Sequence, residues 1–159
     1  VAGVSSRNGV QTFLPRPSFE ETARTLDWRR LGKQRVEATQ ILSALTDPTY
    51  GWQSHSAVRM WRGFSEALTL YRNTIIEEWV RRGYRNNMPI LKVTQEPEMP
   101  PWLGHAKFHL SHRSNLLRKA PAHYTQFGWR IRNDHPYLWP YLEKGVLRFQ
   151  RGKPPTEFV

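Results

Sequence analysis

Residues 26–46, LDWRRLGKQRVEATQILSALT, decide the fold class. Leu31, Ala38, Ile41, Leu42 and Leu45 recur at helical spacing, so a helix over this stretch gathers them on one face that requires burial. Arg29, Arg30, Lys33 and Glu37 fall on a polar face, and Lys33 and Glu37 stand one turn apart. Asp27 is placed to cap the helix, and the turn residues DPTYG at 47–51 stop it. Two readings of the polar face are open. One is an ion pair on a solvated surface; the other is a carboxylate held among cations as a general acid/base for chemistry on an anionic polymer.

Working outward, Ser18 stands three residues before Glu21, a capping-box spacing that starts a short helix through Thr25. A second long helix is expected over residues 55–82, with Val58, Trp61, Phe64, Leu68, Tyr71, Ile75 and Trp79 as its core stripe. Gly63 is expected to bend it and Gly83 to end it. Residues 86–104 hold four prolines and read as a long ordered loop packed by Ile90, Leu91 and Trp102. Helical periodicity returns over 106–119 through Phe108, Leu110, Leu116 and Leu117. A short helical turn and loop follow over 121–129, and residues 146–149 form a short strand. Residues 1–10 lack periodicity and read as a disordered N-terminal extension, leaving 11–159 as one domain. The expectation is an all-α, compact single domain of about three main helices with long ordered loops.

Composition narrows the function. The 159 residues carry 24 Lys+Arg against 13 Asp+Glu, for a net charge of +11, and 18 of the cations are Arg. Guanidinium forks suit phosphate oxygens and stack on bases, so this bias points to nucleic acid. There is no cysteine, which excludes disulfides, thiolate metal sites and cysteine nucleophiles. No apolar run approaches membrane-spanning length, and residues 1–10 lack a signal-peptide core, so a soluble cytoplasmic, nucleoid-associated monomer is expected.

No phosphate-binding glycine loop and no nucleophile elbow is present. His105, His109 and His112 fall at spacings of four and three, yet Lys107 and Arg113 interleave them and no acidic residue completes the set. No metal and no cofactor is therefore expected. Amine chemistry remains. An amine attacking a sugar anomeric carbon forms a Schiff base, with a carboxylate assisting ring opening and departure of the base. Glu37 can supply the carboxylate. Lys33 can supply the amine, although a terminal α-amine needs less tuning to be neutral.

Leu31 and Glu37 in the first long helix, His55 followed by the Trp61 to Trp79 stripe, EWVRRGY at 78–84, and PAHY at 121–124 with Phe127 and Gly128 occur in this order. As an ordered set they resemble the pyrimidine-dimer DNA glycosylases of the endonuclease V type, from Gln11 to Trp129. The resemblance implies a compact three-helix fold with a basic DNA-binding face. It further implies an α-amino group attacking C1′ of the damaged nucleotide, a glutamate assisting glycosidic cleavage, and β-elimination that nicks the strand. By position Glu37 matches that glutamate, and Arg30, Lys33 and Arg35 lie where the family contacts phosphate and base. His123, Tyr124, Phe127 and Trp129 correspond to an aromatic stretch near the family's site.

The expected catalytic set is Glu37 with Gln11, Thr12 and Lys33. The expected DNA contacts are Arg29, Arg30, Arg35, His55, Arg59, Arg62, His109, His112, Arg113, Arg118, Lys119, His123, Tyr124 and Trp129. The chain departs from the family at its start. Ten residues precede the segment at 11–14, and extended they reach roughly 35 Å. Either Val10 stands for a GUG start codon, or the extension belongs to the protein and Lys33 or a water replaces the terminal amine. Double-stranded DNA with a damaged base is the expected partner. A pyrimidine dimer and a hypermodified cytosine, such as the glucosylated base of phage DNA, are both open as substrates, the latter implying phage defence. A non-enzymatic DNA-binding module also accounts for the charge and the aromatics.

Overall fold

The structure, a computed structural model, describes residues 9–153. The Ser18 side chain accepts the Glu21 amide and starts α1, Phe19–Thr25. Asp27 accepts the Arg30 amide and starts α2, Trp28–Thr46. The buried face of α2 is Leu31, Gln34, Ala38, Ile41 and Ala44, while Leu42 and Leu45 lie at its edge, partly buried. The helix expected over 55–82 is two helices, α3 at Ser56–Arg59 and α4 at Ser65–Arg81. Gly63 takes φ +90° between them, a left-handed conformation that a helix interior does not admit. Val58, Trp61, Phe64, Leu68, Tyr71 and Ile75 are all buried despite the break. α5 runs Ala106–Lys119 as its periodicity requires, followed by α6, Pro121–Tyr124, and a 3-10 turn at Thr125–Phe127. The fold is mainly α, with α2, α4 and α5 as its long helices.

Two further parts of the chain differ from expectation. In the loop after α4, Ile90 and Leu91 are exposed, and Trp102 alone of the three is in the core. The loop is held by polar bonds instead: Asn73 pairs with both Leu91 N and Leu91 O, and Arg72 donates to Pro89 O. Near the C-terminus, the short strand has a partner that the sequence reading missed. β1, Leu138–Glu143, pairs antiparallel with β2, Val146–Arg151. The two-residue turn between them places Lys144 and Gly145 at φ 51° and 79°, as a tight hairpin requires. Pro140 disguises β1, since proline is tolerated only where a strand owes no ladder bond. The hairpin packs on α3 and α5.

The segment at residues 11–15 belongs to no helix or strand, yet its backbone is satisfied by side chains from α2, α4 and α5. Gln34 on α2 donates to Gln11 O at 2.7 Å and accepts from Phe13 N at 3.1 Å. Tyr71 on α4 donates to Phe13 O at 2.7 Å. On α5, His112 accepts from Leu14 N at 3.0 Å, His109 donates to Leu14 O, and Arg113 reaches Pro15 O at 2.8 Å. Buried peptide groups must be paired, and here long-range side chains replace a ladder. Of the expected N-terminal extension, residues 1–8 lie outside the described residues. Gly9 and Val10 are part of the fold, and Val10 is buried in the core. Among the described residues no helix is long and apolar enough to cross a membrane.

Candidate active site

A cleft of about 900 Å³ opens beside the polar face of α2. Arg29, Arg30, Lys33 and Glu37 line it from α2, Gln11 and Phe13 from the threaded segment, and Trp79 from α4. Lys119 closes it from the end of α5, with Tyr137 and Trp139 from the chain leading into and along β1. Gly32 is needed at its own position, because a Cβ there would stand 2.9 Å from the Trp79 ring. The glycine lets the indole lie against the α2 backbone. Trp79 is then stacked on Tyr84, with centroids 4.3 Å apart, and backed by the Arg35 guanidinium at 4.3 Å.

Glu37 Oε1 accepts the Gln11 amide at 3.0 Å. Burial raises its carboxyl above the usual range, opposed by that hydrogen bond and by the Lys33 and Lys119 charges. A carboxyl so placed exchanges a proton closer to neutral pH than a surface glutamate does. Lys119 is perturbed in the complementary direction. Part of its side chain reaches solvent, but the ammonium lies 5.5 Å from the Phe13 ring and 5.3 Å from the Tyr137 ring and donates to Tyr137 Oη at 3.1 Å. Burial, then Arg30 and Arg118, pull its pKa down to about 8.

Of the residues expected to act on DNA, the structure gathers Gln11, Arg29, Arg30, Lys33, Glu37 and Lys119 around one cleft. Several others it does not bring there. His109 and His112 are buried with their rings bonded to Leu14, and burial holds both below the ordinary histidine pKa, so they are neutral clamps and not DNA contacts. Thr12 is buried with its hydroxyl accepting from the Trp61 indole, and it does not line the cleft. Tyr124 is buried and its hydroxyl bridges Asp27, where it supports the cap of α2; His123 meets Thr25 O, and Trp129 stacks on Phe127 and Tyr124. That aromatic group braces the start of α2 and does not line the cleft.

The remaining cations lie outside the cleft and make contacts within the fold. Arg35 bonds Asn86 behind Trp79, and Arg113 bonds Pro15. Arg59 lies 3.9 Å from the Tyr141 ring and donates to Gln150, fastening α3 to the hairpin. Arg62 donates to Gln53 O, and Arg118 to Asn115. His55 caps α3, accepting from Ala57 N, and meets Trp139 edge-on. The aromatic walls of the cleft, Phe13, Trp28, Trp79, Tyr137 and Trp139, were not anticipated. Trp79 alone carried a signal, since it closes the core stripe within EWVRRGY, the stretch in which α4 ends.

Neither the curated proteins nor the solved structures contain a match to the chain. A family model described as pyrimidine dimer DNA glycosylase matches residues 10–92. The matched span holds the threaded segment, Glu37 with the α2 cations, and Trp79, but neither Lys119 nor the hairpin. With more than half its length so matched, the chain belongs to the pyrimidine dimer DNA glycosylase family.

Proposed function

We propose that this protein excises a pyrimidine lesion, a pyrimidine dimer by its family, from double-stranded DNA, with Glu37 as the proton-handling carboxylate. The observation that carries the reading is Glu37 itself: a half-buried carboxylate fixed on the Gln11 amide inside a cleft walled by aromatics and rimmed by Arg29, Arg30 and Lys33. The cations suit the phosphates flanking a lesion. The aromatic walls suit a nucleotide drawn out of the stack, a step that costs a few kcal/mol and less at a damaged site. As the C1′–N bond breaks, Glu37 in its protonated form gives its proton to the departing base. The resulting carboxylate then takes a proton from the incoming nucleophile.

The strand-nicking half of the reaction needs an amine. The Gln11 nitrogen stands 3.0 Å from Glu37 Oε1, so in a chain beginning at Gln11 the α-amine would be held on the carboxylate that activates it. That geometry supports the terminal-amine reading for such a form. The test of the glycosylase reading is excision from a duplex bearing one cyclobutane dimer, under single turnover. Glu37→Gln should bind the duplex and lose about 10²- to 10⁴-fold in excision rate. A parent protein that binds the dimer duplex and leaves it intact would overturn the reading, as would a Glu37→Gln protein that excises at the parental rate.

A further inference from the structure

We infer that Lys119 is an imine-forming amine of this cleft, and that it serves in the chain that carries residues ahead of Gln11. The inference rests on the glycosylase reading of the same cleft and adds a second reacting group to it. In that chain the Gln11 nitrogen is a peptide amide, donated to Glu37 and without a nucleophilic lone pair. Among the described residues the cleft then holds two primary amines, Lys33 and Lys119. Both side chains reach solvent, Lys33 from the polar face of α2. Lys119 differs in its contacts: it enters from the end of α5, where Phe13 and Tyr137 flank its ammonium and Tyr137 Oη accepts from it.

The charged groups around Lys119 come from each neighbouring element. Arg30, Lys33 and Glu37 face it from α2, Arg118 from its own helix, and Tyr137 from the chain before β1. Packing of the ammonium against its neighbours lowers its pKa most and the cations, which outnumber the one carboxylate, add to this, so the neutral amine is accessible near pH 8. Tyr137 stays a phenol, because burial raises its pKa, so the lysine proton leaves to solvent and not to the tyrosine.

The chemistry balances without a cofactor. Neutral Nζ adds to the C1′ aldehyde of an opened abasic sugar, and the carbinolamine loses water to give an iminium. The Glu37 carboxylate removes a C2′ proton, and the electron pair expels the 3′-phosphate from C3′. Water then hydrolyses the unsaturated imine and returns Lys119.

Lys119 also suits a simple phosphate contact or a tie to Tyr137, and Lys119→Arg separates these roles from an amine. Arginine keeps the cation and its reach but forms no imine. The experiment uses the full chain on a duplex with a preformed abasic site, so that imine trapping does not depend on excision. Sodium borohydride is added, and the adduct is mapped by peptide mass. The expected result is an adduct on Lys119. Lys119→Arg should lose it and nick at least about tenfold more slowly, while Lys107→Arg, altered on the exposed face of the same helix, retains both. Trapping should rise with pH through about 8 and then level. An adduct on the α-amine or on Lys33 overturns the inference, and so does a Lys119→Arg protein that traps and nicks as the parent does. If the full chain excises dimers but traps nothing, the inference falls and the glycosylase reading stands.

Discussion

Gln34→Leu tests the link between the threaded segment and the site. Gln34 is fully buried, although Lys33 and Arg35 flank it in sequence. Its amide donates to Gln11 O at 2.7 Å, and its oxygen accepts from Phe13 N at 3.1 Å and lies against the Tyr71 hydroxyl. Leucine keeps the volume and gains a little apolar transfer energy, but its partners are peptide groups and cannot be made apolar in turn. After the change Phe13 N retains Tyr71 Oη at 3.2 Å, while Gln11 O loses the Gln34 amide. One stranded carbonyl costs about 1–3 kcal/mol and one weakened amide about 1 kcal/mol, so about 2–4 kcal/mol is expected. For a chain of this length that lowers Tm by roughly 5–15 °C. The functional effect is separate. Glu37 is held through the neighbouring Gln11 amide, and a displacement of about 1 Å at that point costs on the order of 10²-fold in rate. Thermal melts give the first number, and single-turnover excision well below the new Tm gives the second. A Gln34→Leu protein with parental Tm and parental excision rate would refute the claim that this side chain positions the site.

Three further outcomes follow from the same contacts. Tyr124→Phe removes the hydroxyl that bonds both Asp27 N and its carboxylate, and should cost about 1–3 kcal/mol in urea unfolding without changing the cleft. His109 and His112 are held neutral in the fold with lowered pKa values, so the unfolded chain binds more protons below the ordinary value of 6.5. Stability from this pair is present above pH 6.5 and is lost as pH falls below it; Tm measured from neutral pH downward should drop, and a flat profile would exclude the neutral clamp. Arg29→Gln takes one cation from the cleft rim, so DNA affinity should weaken and the slope of log K against log salt should shrink by about 0.9. An unchanged slope would place Arg29 off the DNA path.

Local signals in the chain fixed a large part of this. Ser18 and Asp27 cap their helices through neighbouring amides, contacts that span three residues and are visible as spacing. The apolar periods of α2, α4 and α5 state which faces are buried, and the same period puts Glu37 among Arg29, Arg30 and Lys33 on the face left over. What sequence could not state is what meets each face. His109 and His112 were expected to contact DNA and Gln34 stands unmarked between Lys33 and Arg35, but each is buried because the peptide groups of residues 11–15 need partners in the core. Trp79 belongs to a core stripe by its spacing, and Gly32 on another helix makes it a cleft wall. Lys119 lies 82 residues from Glu37, and only the packing of α5 and the hairpin around α2 places both in one cleft. Periodicity is set by the backbone of a single element, whereas a site is set by side chains from several elements, whose contacts are decided by satisfying buried polar groups across the whole domain.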